Sequence, residues 1–299
     1  MLKPSDPMRV LNAMPPYNLF GLEEQDYEKA KVVVLPVPYD STSTYRTGSR
    51  EGPRAIIEAS RHMELYSEEL GGHINRIGIY TLDELEPNLD SPKKTVDRIA
   101  KEVSIILDDS KMPLLLGGEH TIAVGAIAAV SGKFKDFSVL HFDAHSDSRD
   151  ELMGSKYCHA CIMARARELC KSCYSVGVRS TDEESARKYS KGTLYMKDMK
   201  SMGTRQIVGK ILKNTEKNLY ITIDLDVLDP SEMPSTGTPE PDGMLYSELK
   251  DILKGVLEER RLLGIDFNEM CPIPGLTAPN FLAAKLIYAT LGYAFPAQK

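Results

Sequence analysis

The sequence predicts an α/β protein in which helices cover both faces of a parallel β-sheet. Short apolar segments of strand length alternate with longer segments of helical length along most of the 299 residues. The strand segments are apolar at consecutive positions, which is typical of strands buried on both faces. Residue types that bind ligands follow three of these strands, at the edge where open parallel sheets place their sites.

Apolar and β-branched runs predict eight strands, and apolar residues at helical spacing predict the helices between them. The predicted strands are residues 31–37, 76–80, 113–116, 137–142, 173–178, 193–196, 218–223 and 262–267. The predicted helices are residues 53–61, 92–109, 121–130, 159–169, 204–212, 245–257 and 279–291. Pro53 and Pro92 support two of the helix starts, because the first helical position needs no amide hydrogen.

The organisation of the chain favours a single domain over residues 1–299. This length would accommodate one large domain or two small ones, but no linker, low-complexity segment or internal repeat divides the sequence. Residues 1–30 carry several prolines and no long apolar pattern. We therefore expect an irregular N-terminal arm, with a short helix near residues 23–30.

The composition is that of a soluble globular protein, with 42% hydrophobic and 27% charged residues. A net charge of −6 argues against nucleic-acid binding, which normally needs a basic face, and is compatible with a small cationic substrate. No apolar run is long enough to cross a bilayer, and the proline-containing start of the chain does not have the pattern of a signal peptide. We expect a cytoplasmic protein with neither a nucleic-acid nor a membrane partner.

The most informative stretch is residues 138–147, in which an apolar strand leads into Asp143, His145 and Asp147. Side chains at every second position of an extended chain point to the same side, so the three can converge where the strand leaves the sheet. That arrangement suits a divalent cation. The alternative is that the aspartates form turns and that the histidine is structural.

Two further strand ends favour the metal site. One apolar run ends in Asp224 and Asp226, again two residues apart, and another ends in a Gly-Gly turn followed by His120. Three strand ends that each supply metal-binding side chains are difficult to explain by turn formation alone. Glu269 follows the last predicted strand and belongs to the same edge of the sheet.

These candidates exceed the needs of one ion. Four aspartates in one crevice would repel one another strongly, and two divalent cations that share bridging carboxylates would remove that repulsion. Oxygen ligands favour Mn²⁺ over a thiolate zinc site, although Co²⁺, Fe²⁺ or Zn²⁺ could also bind. Such a pair lowers the pKa of a water molecule, so the residues predict metal-assisted hydrolysis.

The five cysteines do not suggest a disulfide framework, because their number is odd and no export signal is present. Four of them form two close pairs, Cys158 with Cys161 and Cys170 with Cys173. The pairs could hold a structural zinc ion. The alternative is that they are buried thiols that fill a corner between a helix and a strand.

Five segments in this order resemble the motifs of the ureohydrolases, the family of arginases and agmatinases. They are Gly-Gly-Glu-His at 117–120, His-Phe-Asp-Ala-His-Ser-Asp at 141–147, Ile-Asp-Leu-Asp-Val-Leu-Asp-Pro at 223–230, Gly-Thr-Pro-Glu-Pro at 237–241, and the segment around Glu269. The resemblance extends over about residues 32–291. It implies a three-layer α/β/α fold around a parallel, roughly eight-stranded sheet, assembled as trimers or hexamers.

The resemblance also implies the metal ligands, for two Mn²⁺ ions per subunit. One ion would be bound by His120, Asp143, Asp147 and Asp224. The other would be bound by Asp143, His145, Asp224 and Asp226. Asp143 and Asp224 would therefore bridge the two ions. His141, His62 and His73 match no ligand position and are expected to be structural or surface residues.

Three further roles follow from the same resemblance. His159 matches the histidine that relays protons to the leaving amine, although its Tyr-Cys-His-Ala segment at 157–160 departs from the commoner His-Gly-Thr. Glu269 matches the carboxylate that pairs with the substrate guanidinium, and Thr238 would line the same pocket. His159, Glu269 and Asp147 form the implied catalytic set.

The implied substrate is agmatine, which would be hydrolysed to putrescine and urea. Residues 146–151 lack the asparagine-containing loop with which arginases hold the carboxylate of arginine, and residues 236–243 are more similar to agmatinases. The alternatives are an arginase, a guanidinobutyrase, an aminopropylagmatine ureohydrolase or a non-catalytic member of the family.

Overall fold

The computed structural model describes residues 13–296, so residues 1–12 and 297–299 lie outside the described part. In chain order, its strands are β1 (Val32–Val37), β2 (Tyr66–Ser67), β3 (Gly72–His73), β4 (Ile79–Thr81), β5 (Met112–Gly117), β6 (Ser138–Phe142), β7 (Ser172–Val178), β8 (Thr193–Tyr195), β9 (Asn218–Asp224) and β10 (Arg261–Asn268). Within residues 13–296, eight of them form one sheet in the order β4-β1-β5-β10-β9-β6-β7-β8. Neighbouring strands of this sheet are parallel, whereas β2 and β3 form a separate antiparallel hairpin.

Helices cover both faces of the sheet. They are α1 (Gly52–Ser60), α2 (Pro92–Asp108), α3 (Ile122–Lys133), α4 (Ile162–Leu169), α5 (Glu183–Tyr189), α6 (Met196–Met199), α7 (Thr204–Asn214), α8 (Tyr246–Leu257) and α9 (Ala278–Ala294). Buried side chains of α2, α3 and α4 belong to one hydrophobic cluster, and those of α1, α7, α8 and α9 belong to the other. The chain therefore folds into three layers, with the sheet in the middle.

The consecutive apolar residues of the strands divide between these two clusters. In β1, Val32 and Val34 pack on the side of α1 and α9, whereas Val33 and Leu35 pack on the side of α2 and α3. This alternation is the expected consequence of the two-residue period of a strand that is buried on both faces. It explains why these strands are apolar throughout rather than at every second position.

All eight predicted strands are present in the parallel sheet, and each predicted helix beyond the N-terminal arm has a counterpart. The strand expected at residues 76–80 is shifted, because Ile74–Ile77 form a 3₁₀ turn and Gly78, with a φ of +85°, separates that turn from β4. The prediction of a short helix near residues 23–30 was wrong, since this segment contains only a turn that ends at Ala30. The sequence patterns also missed the β2–β3 hairpin, α5 and α6. The single domain over residues 1–299 stays a prediction.

The sheet contributes four adjacent central strands, β5, β10, β9 and β6, to the candidate site. Their carboxyl ends lie side by side, so the residues that follow them meet at one edge of the sheet. Among residues 13–296, no helix is both long enough and apolar enough to span a membrane.

Candidate active site

The first candidate functional side chain at the end of each of the four central strands lies at the same edge of the sheet. These side chains are His120 after β5, Asp143 after β6, Asp224 at the end of β9 and Glu269 after β10. Because β9 lies between β6 and β10, Asp224 is placed between the residues that follow its two neighbours.

The turn between β5 and His120 requires glycine at both positions. A Cβ atom on Gly117 would lie 2.0 Å from Oδ1 of Asn268, and one on Gly118 would lie 2.0 Å from the carbonyl oxygen of Tyr39. Both distances are far inside van der Waals contact. Side chains at these positions would force the chain away from β10 or from the segment after β1, so the two glycines are what allow His120 to lie over the central strands.

The Nδ1 atom of His120 faces three carboxylates. It lies 3.2 Å from Oδ2 of Asp143, 3.5 Å from Oδ2 of Asp147 and 3.5 Å from Oδ2 of Asp224. His120 is fully buried, and within the described residues its Nδ1 atom has no hydrogen-bond partner. A buried nitrogen without a partner is uncommon and requires an explanation.

The hydrogen bonds behind the His120 ring determine its tautomer. Nε2 of His120 lies 2.7 Å from Oγ1 of Thr222, and that hydroxyl donates to Oδ1 of Asp266 at 2.5 Å. Because the Thr222 proton goes to Asp266, the hydroxyl oxygen accepts the Nε2–H of His120. Neutral His120 therefore presents the lone pair of Nδ1 to three carboxylates, as a metal-binding histidine with an oriented ring does.

A second imidazole, that of His145, lies beside this centre. Its Nδ1 atom is 2.8 Å from Oδ2 of Asp226 and 3.5 Å from Oδ1 of Asp143. Asp143 thus presents one oxygen to each histidine. Backbone amides orient the other carboxylates, because Ala144 donates to Oδ1 of Asp226 at 3.1 Å and Asp226 donates to Oδ1 of Asp224 at 2.8 Å.

The electrostatics of this cluster favour added positive charge. Burial, together with the charges of neighbouring carboxylates, raises the pKa of Asp147 and the pKa of Asp224 well above the ordinary value. Burial alone would lower the pKa of His120, but the neighbouring carboxylates of Asp143 and Asp224 raise that pKa well above 6.5. In the absence of a cation the cluster therefore holds protons, and a metal ion would compete with them for the same atoms.

The donor set fits hard divalent cations. Groups of potential ligands in residues 13–296 gather around His120 with Asp143 and Asp147, and around His145 with Asp143 and Asp226. Carboxylate oxygen and imidazole nitrogen are the donors that suit Mn²⁺ and similar ions. The lone pair of His120, which would otherwise oppose three carboxylate oxygens, is the observation that fits a cation best.

His141 is closer to the cluster than the sequence suggested. It is fully buried, with Nε2 2.8 Å from Oδ2 of Asp143 and Nδ1 3.1 Å from Oγ of Ser175. Burial lowers the pKa of His141, so the ring is neutral and can donate its Nε2–H to the carboxylate. This hydrogen bond orients Asp143, which is the usual task of a group that lies behind a ligand.

Glu269 is tied to the His120 turn. Its amide donates to the carbonyl of Gly118 at 2.7 Å, and its Oε1 accepts the amide of His120 at 2.7 Å. Burial and the charges of Asp224 and Glu119 raise the pKa of Glu269 well above the ordinary value. A cationic ligand would relieve that cost and stabilise the ionised carboxylate.

Two site residues have left-handed backbone conformations, which residues other than glycine seldom adopt. They are Asp147, with a φ of +44°, and Glu269, with a φ of +63°. The carbonyl of Asp147 accepts the amide of Met163 in α4 at 2.9 Å, so hydrogen bonding to that helix holds the unusual conformation. Strained backbone of this kind concentrates at functional sites.

His159 lies at the start of the segment that leads into α4. Its Nδ1 is 3.5 Å from Oγ1 of Thr42, and its Nε2 is 3.4 Å from Oγ1 of Thr44. Burial, together with the charges of His145 and His120, lowers the pKa of His159. The ring is therefore neutral near pH 7 unless a negative ligand is present.

A cavity of about 450 Å³ opens onto the cluster. Its lining includes residues of both the metal-binding and the catalytic predictions, namely His145, Asp147, His159, Asp224, Thr238 and Glu269. His120, Asp143 and Asp226 lie behind the cavity lining, where they contact the lining residues Asp224 and His145. The structure thus brings all of the sequence-predicted site residues together, and their individual roles stay predictions.

Sequence reasoning missed the residues that support this cluster. Thr222 and Asp266 hold the His120 ring, and Thr42, itself bonded to Glu119, lies beside His159. Asp266 could have been suspected, because a carboxylate in the middle of an apolar strand needs buried partners. Thr222 and Thr42 carry no such signal, since threonine is common in strands and loops.

Arg179, after β7, is a further residue that the sequence did not single out. Its guanidinium donates to the carbonyls of Asp226 at 2.7 Å, Glu240 at 2.9 Å and Pro241 at 2.9 Å. These bonds connect the segment after β9 with the segment that follows Thr238. Arg179 therefore holds the two segments that contain Asp226 and Thr238 next to each other.

The cysteine pairs do not combine into a metal site in the described part of the chain. The sulfurs of Cys158 and Cys161 are 3.0 Å apart, and those of Cys170 and Cys173 are 3.2 Å apart. Within residues 13–296, no group of three or more potential ligands includes a cysteine. The geometry therefore favours the alternative of packed thiols over a four-cysteine zinc site.

Comparisons with known proteins identify relatives of this chain. A model of the arginase family matches residues 30–292. The chain is 34% identical to N(1)-aminopropylagmatine ureohydrolase of Synechocystis sp., with 89% of this chain and 90% of that protein covered. It is 31% identical to an agmatinase of Halalkalibacterium halodurans, with 85% and 88% covered.

Among solved structures, the agmatine ureohydrolase of Thermoplasma volcanium superposes with a TM-score of 0.85 at 31% sequence identity. The superposition covers 93% of this chain and 94% of that one. The family model, the curated relatives and the solved structure thus each match most of the chain. The chain belongs to the arginase family, the ureohydrolases, and is a hydrolase of that family.

Proposed function

We propose that this chain hydrolyses the guanidinium group of a linear cationic amine and releases urea, with two Mn²⁺ ions as cofactors. The observation that carries the proposal is the Nδ1 atom of His120, a buried nitrogen without a hydrogen-bond partner among residues 13–296, which faces three carboxylates beneath a cavity that Glu269 lines. Anionic side chains surround this nitrogen, and they need cations before the site can act.

The proposed ligands follow the two histidines. His120, Asp143, Asp147 and Asp224 would hold one ion, and Asp143, His145, Asp224 and Asp226 would hold the other. Bound there, the ions would supply Lewis-acid activation of a water molecule and would neutralise the buried carboxylates. The short distances from His120 and His145 to opposite oxygens of Asp143 support the assignment of Asp143 as a bridge.

Glu269 is the proposed partner of the guanidinium. One of its oxygens accepts the His120 amide, and Oε2 lies near Gly237, where an added Cβ would be only 3.7 Å away. A carboxylate that is fixed at one oxygen and enclosed by protein favours a planar cation that can form charge-assisted hydrogen bonds. Thr238 lines the same cavity next to Gly237.

His159 is the proposed proton donor to the leaving amine. It lines the cavity with Glu269, and imidazole is the side chain whose ordinary pKa lies nearest to neutral pH, so it can take up and release a proton there. The remaining side chains of the cavity position the substrate tail. Asp182 is one of them and provides a carboxylate toward which an ammonium group could extend.

We propose N(1)-aminopropylagmatine as the preferred substrate, because relatives with that name are 34–35% identical to this chain over about nine-tenths of its length. The name denotes agmatine that carries an additional aminopropyl group. Agmatine, which the sequence motifs favoured, is the second candidate, since the relatives named agmatinase cover 85% of the chain. The two substrates share the guanidinium end and differ only in the tail.

The assembly and the cellular location belong to the same proposal. A homotrimer or homohexamer in the cytoplasm, with no nucleic-acid or membrane partner, is what the family resemblance and the composition favour. Light scattering on the purified protein tests the assembly, and a monomeric mass at micromolar concentration would contradict it.

Urea release from a panel of guanidines tests the proposed activity. The panel contains N(1)-aminopropylagmatine, agmatine, 4-guanidinobutyrate and arginine, each with Mn²⁺ and with chelator. We expect the highest kcat/KM for N(1)-aminopropylagmatine, followed by agmatine, and no urea in chelator. Preference for arginine would contradict the assigned tail, and the absence of urea from every member would contradict the proposed function.

A further inference from the structure

Thr42, in the loop after β1, contacts both His159 and Glu119, a residue to which the proposed mechanism gives no role. Glu119 is fully buried and lies between the Gly-Gly turn and His120. Its carboxylate is hydrogen-bonded to Thr42 and Thr121. Such a carboxylate needs partners that justify its burial.

Three donors from two threonines supply those partners. The hydroxyls of Thr42 and Thr121 each donate to Oε1 of Glu119 at 2.6 Å, and the amide of Thr42 donates to Oε2 at 2.6 Å. Both hydroxyl protons therefore point at Glu119. The hydroxyl oxygens of Thr42 and Thr121 are 3.4 Å apart, but neither donates to the other, because both protons are already donated to Glu119.

The hydroxyl proton of Thr42 is already donated to Glu119, which limits the hydrogen bonds that Thr42 can form with His159. A hydroxyl has one proton and two lone pairs, so Thr42 is left as an acceptor only. Two donors of His159 face that oxygen, the backbone amide at 3.4 Å and the ring Nδ1 at 3.5 Å. The Nδ1 atom must then carry a hydrogen, which makes the neutral ring the Nδ1–H tautomer.

The other ring nitrogen of His159 faces a different hydroxyl. Nε2 lies 3.4 Å from Oγ1 of Thr44, an exposed residue at the edge of the cavity. Without a hydrogen on Nε2, this nitrogen accepts from Thr44 and is free to take up a proton. These contacts are long, as catalytic hydrogen bonds often are before a substrate is bound.

We propose that Glu119 and Thr42 are positioning residues, which fix the tautomer of His159 so that Nε2 exchanges the catalytic proton. This inference rests on the proposed function of His159. In the protonated ring, the Nε2–H bond breaks as the proton passes to the nitrogen of the leaving amine, and the ring remains as the neutral Nδ1–H form. Solvent then returns a proton to Nε2. The logic is that of a catalytic histidine whose second nitrogen is held by a buried acceptor.

Three variants of the loop test the proposal. Thr42→Val is isosteric and removes the hydroxyl, Thr42→Ser keeps it, and Thr47→Val makes the same change at an exposed position of the same loop outside the network. We expect Thr42→Val to lower kcat roughly 10–100-fold, a part of the 10²–10⁴-fold that a general acid contributes. KM and Mn²⁺ content should stay within about threefold, and Thr42→Ser should recover most of the loss.

A spectroscopic measurement separates this inference from the proposed function. ¹⁵N NMR of histidine-labelled protein with diamagnetic Zn²⁺ reports which ring nitrogen of His159 carries hydrogen, and the His159→Gln spectrum assigns the signal. We expect the Nδ1–H form in the wild type and in Thr42→Ser, and a mixture of tautomers in Thr42→Val. This result would stand even if no guanidine were hydrolysed.

Three outcomes would contradict the proposal that Glu119 and Thr42 fix the tautomer of His159. They are an Nε2–H tautomer in the wild type, an unchanged kcat in Thr42→Val, and a Thr42→Ser variant as impaired as Thr42→Val. If Thr42→Val fails to fold, Thr44→Val provides the test at the exposed end of the network. In Thr44→Val, His159 should keep the Nδ1–H tautomer, and a switch to Nε2–H would contradict the proposal that Thr42 and Glu119 determine the tautomer.

Discussion

The two ends of the sheet contrast in how their charged groups are satisfied. The cavity at the carboxyl end holds carboxylates and an imidazole lone pair that the described protein atoms do not balance. A larger cavity of about 690 Å³ lies at the opposite end, beside the starts of β1, β5 and β10. Its lining is rich in cations: Lys29, Lys31, Lys111, Lys133, Arg260 and Arg261.

Cations at that opposite end have backbone partners. Nζ of Lys111 donates to the carbonyls of Glu28 at 3.2 Å and Ala30 at 3.1 Å, and Nζ of Lys133 donates to the carbonyl of Leu107. Helices of an α/β sheet end at this side, and basic residues commonly satisfy the carbonyls there. The comparison teaches that a concentration of buried carboxylates, and not the size of a cavity, identifies the functional end.

The largest effect is expected from the carboxylate that faces both histidines. Asp143→Asn should remove most of the bound metal and at least about 10³-fold of the urea release, because one neutral amide would replace a bridging carboxylate. Asp224→Asn should behave alike. Metal analysis and urea assays check both variants, and Asp251→Asn on the exposed face of α8 is the matched control. Near wild-type turnover in either variant would refute the two-cation assignment.

Glu269→Gln should separate substrate binding from metal binding. The variant keeps the shape of the side chain and loses its charge, so we expect kcat/KM for a guanidine to fall about 10²–10³-fold. The metal content should remain that of the wild type. Loss of metal in this variant would instead place Glu269 among the ligands.

Thr222→Val should lower the affinity for metal, although Thr222 is not itself a proposed ligand. Without the hydroxyl that accepts Nε2–H, His120 loses its fixed tautomer, and we expect Mn²⁺ affinity to fall about 10–100-fold. Calorimetric titration with Mn²⁺ measures this change. Thr290→Val, at a buried hydroxyl within α9, is the matched control. An equal loss in both variants would show that general destabilisation is the cause.

The smallest effect on activity is expected at the opposite end of the sheet. Lys111→Met removes the donor to Glu28 and Ala30 and should lower the free energy of unfolding by about 1–3 kcal/mol. Urea release by the folded variant should stay within about twofold of the wild type. A large loss of activity at an unchanged melting temperature would break the contrast between the two ends.

The sequence was most informative where one physical pattern dominates. Consecutive apolar residues predicted the strands, and the two-residue spacing of Asp143, His145 and Asp147 predicted that these side chains converge, although Asp147 does so from a left-handed and not an extended backbone. It was weakest where tertiary contacts decide. Gly78 shifts β4, a turn rather than a helix leads to Ala30, and Thr222 and Thr42 acquire their importance from residues more than seventy positions away.

The most direct test of the two-cation centre is a crystal structure of the Mn²⁺-loaded protein, with anomalous difference maps recorded on both sides of the manganese absorption edge. We expect two peaks per chain that disappear below the edge, one bonded to Nδ1 of His120 and one bonded to Nδ1 of His145, with Asp143 between them. A single peak, a peak at the cysteine pairs, or Mn²⁺ bound away from His120 would contradict the account.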